Sequence, residues 1–578
     1  MPYRPTAPFV LATLAVAVLT ACQSLRPEQD EQAATETHAA AALAAAVREA
    51  AAQDATLARV AVSGTRVRAE TAKQLAPAAQ ASGVAYLAAP APAAPPPPAY
   101  WQPANTEKYA ERTDNPVQRA SEQPVSTFSI DVDTGSYSNV RSLIAHGTRP
   151  PADAVRAEEF INYFRYGHPA PTRRDTPFRV TTELAPAPWN PKRQLLMVGI
   201  KGYDVPAAAL PPANLVFLID TSGSMQAPEK LPLLKRAFAL LVEQLRPQDT
   251  VSIVAYAGSA GLVLPPTAGD RKADILAAIE RLEAGGSTNG GEGIQLAYAT
   301  ARQAYIARGV NRVILATDGD FNVGVTDTHT LETLVADQRK HGVALTTLGF
   351  GRDNYNDELS EKLADVGDGN HAFIDSVQEA RKVLVQQMGG TLMTIAKDVK
   401  IQIEFNPAQV AEYRLIGYEN RMLAREDFAN DKVDAGEIGA GHEVTALYEI
   451  TPVGSGAERL PPLRYAGSAT RAGESKEIAH LRLRYKLPGQ DSSRLIETPV
   501  LRTQLASRPS TTLRFAASVA GFADLLRGGT HIDGWSWDDV LREARTAGVR
   551  DEQRDLAGVI ERARALVEGA PAGVAVGE

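Results

Sequence analysis

The chain has one cysteine, Cys22, in 578 residues. A single cysteine forbids an internal disulfide and rules out a multi-cysteine zinc cluster. Aromatic residues make up 6% of the chain, and the four tryptophans, at positions 101, 189, 535 and 537, read as core or turn anchors rather than a carbohydrate-binding stripe. The nine histidines are scattered; the closest pair along the chain is His329 and His341, so no zinc cluster emerges from them either. Neither Gly-x-Ser-x-Gly nor Gly-x-x-x-x-Gly-Lys-Ser/Thr occurs, which removes the signatures of α/β-hydrolases and P-loop nucleotide enzymes. Positive charge is also short. Sixty basic against 68 acidic residues give a formal net charge of -8, and the longest basic runs, such as Arg173-Arg174, are too short to bind a phosphate backbone. Nucleic acid is not an expected partner.

What is present supports several folded domains. The chain is too long for one core, and 44% hydrophobic with 22% charged residues is ordinary for globular proteins. The first residues read as an export signal: Arg4 is basic, residues 7–18 are apolar apart from Thr13, and no acid precedes Glu28. The apolar run is shorter than the ~20 residues a membrane span needs, and Pro8 interrupts it. Leu19-Thr20-Ala21-Cys22 resembles the bacterial lipobox, which implies that Cys22 is lipidated and becomes the mature N-terminus. Gln23 follows where an aspartate would suggest inner-membrane retention. The expected location is therefore the bacterial cell envelope, lipid-anchored at the outer membrane and facing the periplasm. Residues 23–105 are rich in Ala and Pro and read as a disordered tether.

Four further regions are expected: an N-terminal α+β region over 106–211, an α/β domain over 212–390, a β-sandwich over 391–508 and a helical region over 509–578. In the second, the apolar runs 215–219, 251–256, 313–317 and 344–350 alternate with helical segments. One of these, 230–245, carries Leu231, Leu234, Phe238, Leu241 and Leu245 at steps of 3 and 4. That pattern predicts a doubly wound, mostly parallel sheet covered on both faces. After 390 the period becomes 2, as in Val444, Ala446, Tyr448 and Ile450, which predicts antiparallel sheet with one solvated face. Strands near 178–203 are expected in the same sandwich, with the α/β domain inserted between.

Ligands of open α/β sheets bind at the carboxyl ends of the strands. There the chain sets Asp220-Thr221-Ser222-Gly223-Ser224, then Thr288 between glycines in "GGSTNGG", then Thr317-Asp318-Gly319. An oxygen-only set suits a hard cation such as Mg²⁺, Mn²⁺ or Ca²⁺. These residues resemble the metal-ion-dependent adhesion site of von Willebrand factor type A domains, over about 212–390. The flanks resemble those of bacterial lipoproteins in which a type A domain lies between a dedicated N-terminal region and a C-terminal domain of unknown function. The resemblance implies that Ser222, Ser224 and Thr288 ligate a divalent ion and that Asp220 and Asp318 act often through water. It also implies that the ion accepts an Asp or Glu carboxylate from a partner protein. The expected function is metal-dependent protein binding, without catalysis. An envelope scaffold or assembly factor with a purely structural metal is the alternative.

A near-echo, Asp131-Val132-Asp133-Thr134-Gly135-Ser136, matches the aspartic-protease signature. Such enzymes need two carboxylates sharing one proton, and the chain has no second Asp-Thr/Ser-Gly. The expectation is a structural turn in which Asp133 and Ser136 satisfy backbone amides. A pepstatin-sensitive peptidase activity lost in Asp133→Asn would instead make it an active site.

Overall fold

The computed structural model describes residues 106–130, 133–173, 175–319, 328–461 and 475–569, all within the compact unit Trp101–Glu578. The stretch read as an export signal, Cys22 and the Ala/Pro-rich stretch read as a tether lie outside the described residues. Four strands precede the α/β segment: β1 (Gln118–Arg119), β2 (Val125–Ser129), β3 (Phe178–Ala187) and β4 (Asn190–Gly202). Six form it: β5 (Ala213–Asp220), β6 (Thr250–Tyr256), β7 (Ala260–Ala268), β8 (Val310–Thr317), β9 (Ala344–Phe350) and β10 (His371–Ile374). Six follow: β11 (Thr394–Phe405), β12 (Val410–Ile416), β13 (Ile438–Gly439), β14 (Glu443–Pro452), β15 (Glu477–Lys486) and β16 (Ser493–Leu501).

The α/β sheet runs β10-β9-β8-β5-β6-β7, parallel except for β7. Every residue of β5 is buried, because side chains alternate between two covered faces. Leu215, Phe217 and Ile219 pack with Leu234, Phe238 and Leu241 of helix Leu231–Gln244, where Phe217 and Phe238 stack at 4.4 Å. Val216 and Leu218 pack on the other face with Ile294, Ala297 and Leu331. The sequence pattern missed β7, whose Pro265 and Pro266 are tolerated only because it is the sheet's edge.

The remaining strands make two antiparallel sheets, β1-β12-β14-β4-β3 and β13-β11-β15-β16, with β2 beside β11. Phe178, Val198, Ile200, Val444 and Tyr448 of the first sheet share one core with Phe128, Ile401, Leu481 and Leu483 of the second. β4 pairs with β14, so strands from both sides of the α/β segment lie in one sheet. The expectation of a solvated face fails for β14. Its apolar alternates enter the sandwich core, but Leu447, Thr445, Glu449 and Thr451 are buried too. Helices Gly135–Ala145 and Ala157–Tyr163 join helices Thr511–Arg527, Trp537–Ala547 and Asp551–Glu568 in a second core that takes in Leu195, Met197 and Leu447. The buried polar side chain there has its own partners: Glu449 accepts from Trp189 Nε1 (3.1 Å) and Arg193 (3.1 Å).

The first described residues run along the loop after β9. Thr106 N donates to Asp353 O (2.7 Å), Lys108 N to Tyr355 O (3.0 Å), and Asp357 N to Lys108 O (3.1 Å). Nearby, Arg156 is buried against Glu159, Asp357 and Glu361, which ties the flanking helix Ala157–Tyr163 to helix Asp357–Val366 of the α/β segment.

Glu158 on that flanking helix is fully buried. Burial, reinforced by the charges of Glu419 and Glu159, pushes its carboxyl up to about 8, against the pull of Arg112 and the Tyr418 amide. The folded chain thus holds a proton that the unfolded chain, with a carboxyl near 4.5, releases. Stability contributed by this group is present below that ordinary value and is lost as pH rises to about 8. Glu158→Gln removes the dependence. Thermal unfolding should show little difference between variant and wild type at the acid end of that window and an advantage for the variant of a few kcal/mol at its alkaline end. Parallel stability curves would contradict it.

Candidate metal centre

Parallel strands bring their carboxyl ends to one edge of the sheet. Asp220 ends β5, and Asp318 follows the end of the neighbouring strand β8, with Ile219 opposite Ala316. The loop after β5 is laced to the glycine-rich loop: Gly223 N donates to Gly286 O (3.0 Å) and Gly285 N to Thr221 O (2.8 Å). Gly286 has φ +87°, a backbone that other residues rarely adopt. This lacing carries Thr288, which is buried, alongside the serine loop. Asn289 then caps helix Gly290–Gln303. On the third loop Gly319 has φ +103°, and a Cβ there would lie 2.1 Å from Asn356 N, so only glycine lets the loop after β9 approach.

Asp220 is fully buried. Its Oδ1 accepts from Ser222 N (2.8 Å); its Oδ2 accepts from Thr317 Oγ1 (3.0 Å) and Tyr256 OH (3.3 Å). Burial first, and then the charge of Asp318, push the Asp220 carboxyl up to about 6. The Ser222 and Ser224 hydroxyls face each other at 3.1 Å, the first buried and the second exposed. Asp318 is also fully buried, and its two oxygens differ. Oδ2 accepts from Lys230 Nζ (3.0 Å), whereas Oδ1 is buried without a hydrogen-bond partner among the described residues. An unsatisfied buried carboxylate oxygen costs on the order of 1–3 kcal/mol or more unless something positive meets it. Among the described residues no three His, Cys, Asp or Glu side chains form a metal-ligating group. The oxygens here come from two carboxylates and three hydroxyls, a donor set suited to a hard cation.

Two side chains of this centre were not singled out from sequence, Lys230 and Asn354. Lys230 occupies the position before helix Leu231–Gln244 without capping it, and donates to both Asp318 Oδ2 and Asn354 Oδ1 (2.8 Å). A lysine at a helix N-terminus opposes the helix dipole, and that misplacement was the legible signal of a local anion. The near-echo lies elsewhere. Asp133 Oδ1 accepts from His371 N (2.8 Å) and Oδ2 lies 3.7 Å from Arg421; the Ser136 hydroxyl accepts from Arg156 N (2.9 Å) and donates to Ala154 O (2.6 Å). Both side chains satisfy backbone amides; Asp133 pins the flanking segment to β10, and Ser136 ties the start of helix Gly135–Ala145 to residues 154–156. Asp131 and Val132 lie outside the described residues, as does Cys22.

Residues 214–387 match the family described as von Willebrand factor type A domain, residues 103–197 a family described as von Willebrand factor, and residues 390–566 the C-terminal region of the uncharacterized protein YfbK. The chain is thus a type A domain protein, a class that mediates protein–protein interactions, with the domain set between two further conserved-family regions. More narrowly, it belongs to the family of YfbK of Escherichia coli K12, to which it is 48% identical over 456 residues, 78% of this chain and 79% of that one. It is also 26% identical to the uncharacterized protein sll0103 of Synechocystis, over 54% of this chain and 71% of that one. Among solved structures, a von Willebrand factor type A protein from Catenulispora acidiphila overlays 70% of this chain and 88% of its own at TM-score 0.39 and 16% identity. The family assignment rests on the sequence matches rather than on this overlay.

Replacing Asp133 by alanine should cost about 1–3 kcal/mol in urea unfolding, because a buried amide and a guanidinium lose their acceptor. Asp133→Asn, which keeps an acceptor for His371 N, should cost less. Equal stability of all three proteins would contradict the structural role.

Proposed function

We propose that this chain is an envelope lipoprotein whose type A domain holds a divalent cation, Mg²⁺ or Mn²⁺ before Ca²⁺, and through it binds a carboxylate of a partner protein. The observation that carries the reading is Asp318 Oδ1, a buried carboxylate oxygen without a partner among the described residues, beside a second buried carboxylate, Asp220, whose affinity for protons is raised by burial and then by the charge of Asp318. Two such groups at adjacent strand tips repel each other until a cation lies between them. The hydroxyls of Ser222, Ser224 and Thr288 would hold the ion, with Asp220 and Asp318 balancing its charge. Three neutral ligands leave a bound divalent ion electron-poor and able to accept an anionic oxygen. Ser224 is exposed, which supports access from solvent on that side. Thr317, Tyr256 and the Ser222 amide orient Asp220, so they position the site without touching the ion. The lipid anchor rests on Leu19-Thr20-Ala21-Cys22 and the apolar run before it, with the Ala/Pro-rich stretch as tether. No catalytic step is assigned to the site.

Calorimetric titration of the protein with Mg²⁺ or Mn²⁺ tests the site: one binding event in wild type, lost in Asp220→Ala. Identical binding by the two proteins would remove the basis for the reading. Affinity capture from envelope extracts should then yield partners that EDTA releases. Partners captured equally by wild type and Asp318→Ala would make the metal structural and the protein a scaffold.

A further inference from the structure

Lys230 is more than a surface counter-charge. It is buried, and its chain crosses Gly351 so closely that a Cβ there would lie 2.3 Å from its Cε. Gly351 has φ +79°, so the passage is built into the backbone. The ammonium group is held at both ends, 3.0 Å from Asp318 Oδ2 and 2.8 Å from Asn354 Oδ1. Asn354 is in turn fixed by its neighbours, since Asp353 and Tyr355 are bonded to residues 106–108. The lysine therefore cannot swing away cheaply when the charge beside it changes.

We infer that Lys230 is a fixed positive charge that sets the ligand preference of the metal centre. It weakens the hold on a divalent ion and leaves the loaded site in need of an anion. The inference rests on the metal reading above. The charge count decides its sign. Two carboxylates and a divalent ion sum to zero; with Lys230 the loaded centre carries +1 in a buried setting. Like charge beside the ion opposes metal entry, and the same excess attracts a carboxylate, the more so where water is excluded. Lys230 also takes Asp318 Oδ2 out of play, leaving Oδ1 alone to meet a cation. A salt bridge with a purely structural purpose would move stability but would not shift metal and anion affinities in opposite directions.

The test uses Lys230→Gln, which removes the charge and keeps a hydrogen-bond donor, and Lys230→Arg, which keeps the charge. Mn²⁺ is titrated into each protein, and acetate into each Mn²⁺-loaded protein. Lys230→Gln should bind Mn²⁺ about tenfold more tightly and acetate about tenfold more weakly, with Lys230→Arg near wild type in both. Shifts in the same direction, or none, would overturn the inference while leaving the metal site standing. Absence of Mn²⁺ binding in wild type would instead remove the reading beneath it. Wild type alone supplies a check that needs no variant: acetate affinity of the loaded protein should fall as salt rises, and a salt-independent affinity would contradict the net charge.

Discussion

Two carboxylates buried at the tips of adjacent strands are the constraint around which this protein is organised. Asp220 and Asp318 are fully inaccessible, and each is placed by a strand whose residues are mostly apolar because both sheet faces are covered. Like charges in a dry place are costly. The chain offsets the cost in different ways for the two acids. Asp220 takes hydrogen bonds from Ser222, Thr317 and Tyr256, and its carboxyl is pushed towards neutrality. Asp318 keeps one oxygen on Lys230 and the other, among the described residues, without a partner. The asymmetry sets the two oxygens of one carboxylate in different surroundings.

The rest of the molecule holds that edge still. The sandwich takes strands from before and after the type A segment: β4, which leads into it, pairs with β14, and β11, which leaves it, lies in the facing sheet beside β2. Flanking helices reach the type A segment through buried ion pairs: Arg156 with Asp357, and Arg141 with Asp375 (2.6 Å) and Glu379 (2.9 Å). Breaking a buried pair by removing one partner leaves an uncompensated charge, so these contacts fix the relative position of the segments they join. Residues 106–108 reach furthest. They bond to the loop that carries Asn354, which holds Lys230, which holds Asp318. A continuous line of contacts thus runs from residues 106–108 to the candidate metal centre.

Much of this was legible in the sequence, for physical reasons. Unbroken apolar runs alternating with amphipathic helices specify a covered parallel sheet, and Asp220, Ser222, Ser224 and Asp318 could be placed at strand ends because those runs stop at them. Period-2 patterns located the sandwich strands. The patterns could not tell that β14 is covered on both faces, because Thr445 and Glu449 are polar residues whose side chains find partners in His168 and Trp189. Nor could they reveal that helices from both ends of the chain form one core, since amphipathicity names a buried face and not its neighbour. Edge strand β7 was hidden by its prolines. Lys230 was read as the start of a helix; its place at the helix N-terminus hinted at an anion nearby, and its distance to Asp318 identifies that anion.

The central claim is that the Asp318 oxygen left without a partner among the described residues faces a place built for a cation. Anomalous diffraction from crystals grown with Mn²⁺ tests it most directly. The account predicts one strong peak per chain, bounded by the hydroxyls of Ser222, Ser224 and Thr288, with Asp220 and Asp318 on its buried side and Lys230 still on Asp318 Oδ2. A map in which Mn²⁺ occupies no such position, with Asp318 Oδ1 bonded instead to a protein donor, would contradict it.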